Sequence, residues 1–334
     1  MLRVGVLGAG FMGGTHARAF AKLPDVRVLG VSSRSADKAA ALAEEVGAEP
    51  FTDAMTLATH PQVDLVSVTL PTHLHQEYTI AALNSGKPVL LEKPMGLAVE
   101  ECDAMMAAAE RSGQILMLAH VLRFWPEYVA LVDFVKRGEL GKPLTATASR
   151  LSSRPTWGDW FNNPDWTGGA VHDLHIHDLD ALNWLFGTPK SVYARGQRGA
   201  PGGWDQALTL LDYGQVGCFA EGSVLMPDGY PFTMTLRVFC ERGSVEFAFR
   251  AGGTGVETGT TSGTSLMIYE SGAEPRPLPP APGGDAYEAQ VAYFVDCVRE
   301  KRPPQRGTPQ QGRLAVKTAL AVREALETNQ VVYF

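Results

Sequence analysis

The chain has 334 residues, a formal net charge of −7, and 45% hydrophobic against 19% charged residues, an ordinary globular balance that suits two domains better than one. No long basic run is present, which argues against nucleic-acid binding, and no apolar stretch approaches the ~20 residues of a bilayer span. No charged-then-apolar leader precedes the first strand, and Cys102, Cys218, Cys240 and Cys297 are scattered without a C-x-x-C pair; the expectation is a cytoplasmic protein with reduced thiols.

From the start to about residue 120, short apolar runs alternate with helical patterns. Strands are expected at 2–7, 26–31, 64–70, 88–91 and 115–119, and helices near 15–23, 36–46, 74–85 and 99–111. Continuous apolar strands alternating with helices predict a parallel sheet covered on both faces, a doubly wound α/β domain. The first strand runs into Gly8, Gly10 and Gly13, spaced G-x-G-x-x-G around Phe11 and Met12, and a helix follows. In that context the glycines predict dinucleotide binding: Gly8 for the tight turn, Gly10 for pyrophosphate approach, Gly13 for close helix–strand packing. The helix N-terminus then offers N–H groups to phosphates.

Past residue 121 the rhythm changes. A helix is expected at 126–136, then strands at 144–151, 191–195, 207–213, 216–224, 233–239 and 244–250, with one helix near 169–186. Met234, Leu236 and Val238 alternate with polar neighbours, as do Val245, Phe247 and Phe249; period two predicts an antiparallel sheet with one covered face. The Gly/Thr-rich 251–265 reads as a mobile loop or hairpin tip, and 275–284 as a Pro-rich connection. Two late helices, 287–300 and 309–328, precede a short apolar end. The expected division is a dinucleotide-binding domain over 1–120 and a substrate-binding and oligomerisation domain over 121–334. No internal repeat is present.

Several residues can carry chemistry. The second strand ends in Ser32-Ser33-Arg34, without the carboxylate that accepts the ribose hydroxyls in an NAD site. Ser33 and Arg34 therefore favour NADP over NAD, with dual use open. Pro71, Thr72 and His75 follow the third strand on a loop that faces a cofactor, which predicts cofactor contact for His75 rather than catalysis. Glu92-Lys93-Pro94 follows the fourth, and an ammonium there can hydrogen-bond a substrate oxygen and stabilise charge on it. The densest polar cluster is Gly168–Asp180. On a helix, Asp173 and His177 share a face at i and i+4, a carboxylate orienting an imidazole that acts as general base. A metal site is the rival reading, but His172, His175 and His177 do not share one face and no partner cysteine follows. His172 reads as a packing or capping residue, and His175 stays open.

The order and spacing of Gly8-x-Gly10-x-x-Gly13, Glu92-Lys93-Pro94 and Gly168-Gly169-x-x-x-Asp173-x-x-x-His177 resemble the glucose–fructose oxidoreductase / inositol dehydrogenase / rhizopine catabolism (Gfo/Idh/MocA) family. The resemblance covers nearly the whole chain. It implies a Rossmann domain followed by an α/β domain with a large, open, mostly antiparallel sheet that commonly forms the interface of a dimer or tetramer. It implies an NAD(P)-dependent oxidoreductase of sugars or cyclic polyols. Lys93 would be its active-site lysine, Asp173 and His177 its carboxylate–imidazole pair, and Pro71, Thr72, His75 and Glu92 part of its cofactor lining. His120 departs from the asparagine expected before the crossover. Arg123, Trp157, Trp160 and Trp166 lie on segments expected near the crevice, where aromatic faces stack on sugar C–H surfaces and arginine binds hydroxyls. Two other readings remain in view: a glycosidase working by transient oxidation with bound NAD, and a non-catalytic cofactor-binding sensor or co-repressor.

Overall fold

The computed structural model describes residues 1–155, 163–199, 202–251 and 261–334. The first elements are β1 (Leu2–Leu7), α1 (Phe11–Ala21), β2 (Val26–Ser32), α2 (Ala36–Val46), β3 (Glu49–Phe51), α3 (Ala54–Ala58), β4 (Leu65–Val68), α4 (His75–Asn84), β5 (Val89–Glu92), α5 (Val99–Ser112) and β6 (Leu116–Ala119). There follow α6 (Pro126–Lys136), β7 (Pro143–Leu151), α7 (Pro164–Thr167), α8 (Ile176–Phe186), β8 (Ser191–Arg198), β9 (Trp204–Asp212), β10 (Gly217–Ser223) and β11 (Thr233–Cys240). The chain ends with β12 (Gly243–Ala251), β13 (Thr261–Glu270), β14 (Arg276–Pro277), α9 (Ala286–Glu300), α10 (Pro309–Thr328) and β15 (Val332–Tyr333). Two compact units form, Met1–Phe124 with Gly283–Arg313, and Trp125–Pro282 with Leu314–Phe334.

The first unit is a six-stranded sheet in the order β3-β2-β1-β4-β5-β6, parallel at every pairing. This is the doubly wound Rossmann order, whose strand sequence reverses between β1 and β4 and opens a crevice at the carboxyl edge. The apolar runs are buried as expected: Val4, Val6, Val31, Leu65, Val68, Leu90 and Met117 have no exposed surface. Two short elements, β3 and α3, escape the sequence pattern. β3 is three residues with a central proline, tolerated because it pairs only with β2 at the sheet edge.

A single cut after residue 120 is the sequence expectation, whereas the compact units are discontinuous. Helix α9 returns to the first unit because its apolar stripe, Val291, Phe294 and Val295, joins the same core as Val4, Ala17, Phe20 and Val28. Lys22 and Glu288 add an exposed ion pair beside it, worth little against that apolar contact.

The second unit is a nine-stranded sheet, β14-β13-β12-β11-β7-β10-β9-β8-β15, antiparallel except where β7 meets β10. Met234, Leu236 and Val238 of β11 and Val245, Phe247 and Phe249 of β12 all face the core, as their alternation predicts. Tyr128 of α6 packs edge-on against Phe247 at 4.9 Å between centroids. The opposite face is open: the register aligns Leu210, Phe219, Thr147, Arg237, Glu246 and Met267 in one row, with Leu210 54% and Phe239 47% exposed. Of the segment 251–265, expected as a mobile loop or hairpin tip, Ala251 ends β12 and the last third, 261–265, begins its antiparallel partner β13, whose inward Leu266 and Ile268 are preceded in the sequence by Ser, Thr and Gly; 252–260 lie outside the described residues.

Phe294 is fully buried, so Phe294→Ala is expected to cost about 3–5 kcal/mol. If α9 belongs to the first core, hydrogen exchange of the variant accelerates in β1 amides and not in those of β11 and β12. Equal acceleration in both sheets, or none in β1, contradicts this.

Candidate active-site elements

The glycine turn sits at the carboxyl end of β1. Gly8 adopts φ +111°, and a Cβ there would lie 2.7 Å from the Thr69 carbonyl oxygen. A Cβ on Gly13 would lie 1.9 Å from the Gly8 carbonyl oxygen, so the third glycine lets helix α1 begin directly over the turn. This is why α1 starts at Phe11, four residues before the sequence pattern shows it. A Cβ on Gly10 would meet nothing within 4 Å, which leaves its backbone open to a ligand. Gly10 adds no capping side chain and the first turn holds no acidic residue, so the helix end keeps its positive pole for an anion. These residues fit a dinucleotide pyrophosphate. Phe11 is 42% exposed and Met12 half-buried.

At the end of β2, Ser32 is buried, Ser33 half-buried and Arg34 exposed. The Ser33 hydroxyl accepts from the Ser35 amide at 3.2 Å. Burial and the nearby Arg34 guanidinium together hold the His73 pKa below its usual value. The edge therefore carries positive charge on the side where an adenosine ribose lies in this fold.

The loop after β4 is less open than expected. Pro71 is half-buried, but Thr72 and His75 are 3% and 1% exposed. The His75 ring lies 2.7 Å from the Leu70 carbonyl oxygen and 2.8 Å from that of Pro94, which ties the loop after β4 to the loop after β5. Burial lowers its pKa despite those carbonyls. The ring thus holds the shape of two loops, rather than presenting itself to a cofactor.

Glu92 also turns inward. It is 5% exposed, with Oε1 3.1 Å from His16 Nε2 and Oε2 accepting from the Lys93 amide at 3.0 Å. Burial alone would raise its pKa, but the His16 contact and the charges of His16 and Lys93 outweigh it and leave Glu92 below the usual carboxylate range. His16 Nδ1 lies 2.8 Å from Ser67 Oγ. Lys93 follows, half-buried. His120 and Arg123 at the end of this unit are 1% and 2% exposed, enclosed where the sequence reading expected Arg123 to reach substrate.

In the second unit, the segment of three histidines is not one regular helix. Val171–His175 is a π turn that runs into α8, so Asp173 lies in the π turn and His177 in the α-helix. Such turns concentrate at functional sites. The segment is pinned to the sheet on both sides of His177. His175, 1% exposed, meets Thr209 Oγ1 of β9 at 3.0 Å through Nε2, and fits only because β10 has glycine at 222, where a Cβ would lie 2.6 Å from its Nδ1. Asp178 takes two bonds from Arg150 of β7, at 3.0 and 3.1 Å, with both side chains almost fully buried. With His172, His175, Ile176, Asp178 and Leu179 committed to the interior, the half-buried strip holds Asp173, Leu174 and His177. His172 is a packing residue at 0% exposure. Trp166 on α7 is 38% exposed; Trp157 and Trp160 lie outside the described residues. Among the described residues, no three His, Cys, Asp or Glu are grouped to hold a metal ion, and no helix is long and apolar enough to cross a membrane.

Sequence reasoning missed His16 and Ser67. The available signal was a polar residue in an apolar setting. His16 lies on the buried stripe of α1 with Gly13, Ala17 and Phe20, and Ser67 interrupts the buried strand Leu65–Val68.

Residues 2–120 match the oxidoreductase family with an NAD-binding Rossmann fold, and residues 128–246 match the GFO/IDH/MocA C-terminal domain. D-glucoside 3-dehydrogenase of Escherichia coli (strain K12) is 33% identical over 242 residues, 67% of this chain and 68% of that protein. 1,5-Anhydro-D-fructose reductase of Ensifer adhaerens is 28% identical over 335 residues, 99% of this chain and 98% of that protein. Among solved structures, aldose-aldose oxidoreductase from Caulobacter crescentus, complexed with glycerol, superposes with a TM-score of 0.86 at 24% identity, covering 100% of this chain and 99% of that one. The fold and the glycine turn define an NAD(P)-binding oxidoreductase. The chain belongs to the GFO/IDH/MocA family.

Burial, with repulsion from Arg150, pushes the His175 pKa down from 6.5 to about 3. The unfolded chain therefore binds this proton more readily than the folded one. Stability from the neutral ring is complete above pH ~6.5 and is lost as pH falls toward 3, by up to about 1.4 kcal/mol per pH unit. Urea midpoints of the wild type should fall more steeply between about pH 7 and pH 5 than those of His175→Gln. Equal slopes would show that the ring is not held neutral.

Proposed function

We propose that this oxidoreductase interconverts a secondary hydroxyl and its carbonyl on a sugar, a cyclic polyol or a derivative, with NADP preferred over NAD. The observation that carries the reading is which polar side chains remain on the half-buried strip, beside Leu174, after the pinned segment has buried its others: a carboxylate and an imidazole, Asp173 and His177. Family membership and the sugar-linked names of the relatives support the substrate class.

The nicotinamide, when bound, supplies the hydride exchange at the carbinol carbon. In the oxidative direction, the Lys93 ammonium donates a hydrogen bond to the reacting oxygen and stabilises the negative charge that grows as its proton leaves. His177 takes that proton, and Asp173 orients the ring and stabilises its protonated form. In reduction His177 returns the proton to the same oxygen. The preference for NADP rests on the end of β2, where an exposed guanidinium, Arg34, stands in place of a carboxylate; Arg34 pairs a 2′-phosphate, whereas a carboxylate would repel it. A cytoplasmic location agrees with four free, buried cysteines. The open face of the second sheet, with Leu208, Leu210, Phe239 and Tyr269 exposed, is the surface through which the protein forms a dimer or tetramer.

Initial rates with myo-inositol, D-glucose, methyl D-glucoside and 1,5-anhydro-D-fructose, each with both cofactors, test the activity. At least one substrate should turn over, with a higher kcat/KM for the NADP couple. Lys93→Met and His177→Asn should each lower kcat by about a hundredfold or more while cofactor binding persists. Tight cofactor binding without turnover of any of the four supports a sensor instead, and aglycone release without net cofactor reduction supports a glycosidase. For assembly, Leu210→Asp with Phe239→Asp should shift the sedimentation coefficient to that of a monomer; an unshifted oligomer rules out this face.

A further inference from the structure

The first unit buries three polar side chains from three elements at one point: His16 of α1 and Ser67 of β4 at 0% exposure, and Glu92 of β5 at 5%. The distances are 2.8 Å from His16 Nδ1 to Ser67 Oγ and 3.1 Å from His16 Nε2 to Glu92 Oε1. Nε2 faces the carboxylate at ion-pair distance, without the alignment of a hydrogen bond. Nδ1 lies within hydrogen-bond distance of the Ser67 hydroxyl. The order serine–imidazole–carboxylate resembles that of a hydrolase triad. A nucleophile must reach its substrate, however, and the serine here has no exposed surface. Something other than nucleophilic catalysis accounts for the arrangement.

What the network touches is Lys93. The second Glu92 oxygen accepts from the Lys93 amide at 3.0 Å. On the other side of Lys93, the Pro94 carbonyl oxygen is held 2.8 Å from the His75 ring. The backbone entering and leaving Lys93 is therefore held from both sides. His16 stands one turn inside the helix whose start forms the dinucleotide turn, so it reports the position of that turn to the end of β5. An apolar side chain at position 92 would fill the same place without desolvating a charge.

We propose that His16 is a positioning residue for Lys93: through Glu92, it makes the direction in which Lys93 leaves β5 depend on helix α1, the element that receives the dinucleotide. The inference rests on the reading of Lys93 given above. It goes beyond that reading by assigning the lysine's orientation to a side chain that touches neither substrate nor cofactor.

Two substitutions of His16 separate positioning from packing. In His16→Gln the amide nitrogen reaches the place of Nε2 and keeps the contact with Glu92; in His16→Asn it reaches only the place of Nδ1. In the full-length protein, lysines are pulse-labelled with an amine-acylating reagent and read by peptide mass spectrometry. Lys93 should label about threefold or more faster in His16→Asn relative to Lys22 and Lys38, and return to the wild-type rate in His16→Gln. With the best substrate of the panel above, His16→Asn should lower kcat by about tenfold at little-changed cofactor affinity and have no further effect in a Lys93→Met background. A folded His16→Asn with unchanged Lys93 labelling overturns the proposal, as does a kcat loss that persists in the Lys93→Met background. If His16→Asn fails to fold, Glu92→Gln takes its place with the same expected labelling. A Lys93→Met variant with full activity would instead refute the catalytic reading of Lys93, while the labelling still decides what His16 does.

Discussion

A charged carboxylate at the end of a strand buried on both faces is the constraint around which the first unit is arranged. The parallel sheet has no wet face, so polar chemistry enters only at its carboxyl edge, and Glu92 sits just inside that edge at 5% exposure. Its pKa is held below the ordinary value, against the effect of burial, by the contact with His16 and the charge of Lys93, and the Lys93 amide donates to its second oxygen. The contact therefore fixes α1, β4 and β5 with respect to one another, and with them the glycine turn and Lys93.

The second unit meets the same demand with other means. Its sheet is open on one face, so the helix on the covered face can be anchored from below. Arg150 grips Asp178 and Thr209 meets His175, one contact on each side of His177. Both anchors are polar, buried and directional, which fixes the rotation of the segment as well as its position. A purely apolar interface would define the depth of the helix but leave its rotation softer. Fixing the rotation leaves Asp173 and His177 on the half-buried strip.

Much of this was legible before any coordinates. The glycine turn, the Lys93 position and the i, i+4 placement of Asp173 and His177 follow from motifs spanning a few residues. Legibility failed where length or composition hid the pattern, as with the three-residue β3, the five-residue α3, and β13 with its Ser- and Thr-rich start. It failed also for side chains whose meaning depends on a partner. His75 reads as a cofactor contact because it follows a strand at the right edge; in the fold its ring is enclosed between two carbonyls. Arg123 reads as a substrate ligand and is 2% exposed. His175 stayed open in the sequence because nothing local reveals the glycine at position 222 beneath it.

The sequence by itself determined the α/β class, the alternation of elements, the faces of β11 and β12, the dinucleotide turn and the family. All of these rest on hydrophobic period, glycine sterics and motif spacing, which act over short stretches of chain. Only the tertiary structure decided that α9 completes the first core, that His16 meets Ser67 across 51 residues and His175 meets Thr209 across 34, and that Val171–His175 winds as a π turn. Those outcomes are choices of partner. A buried polar residue announces that it needs one, but the chain must close on itself before geometry names which.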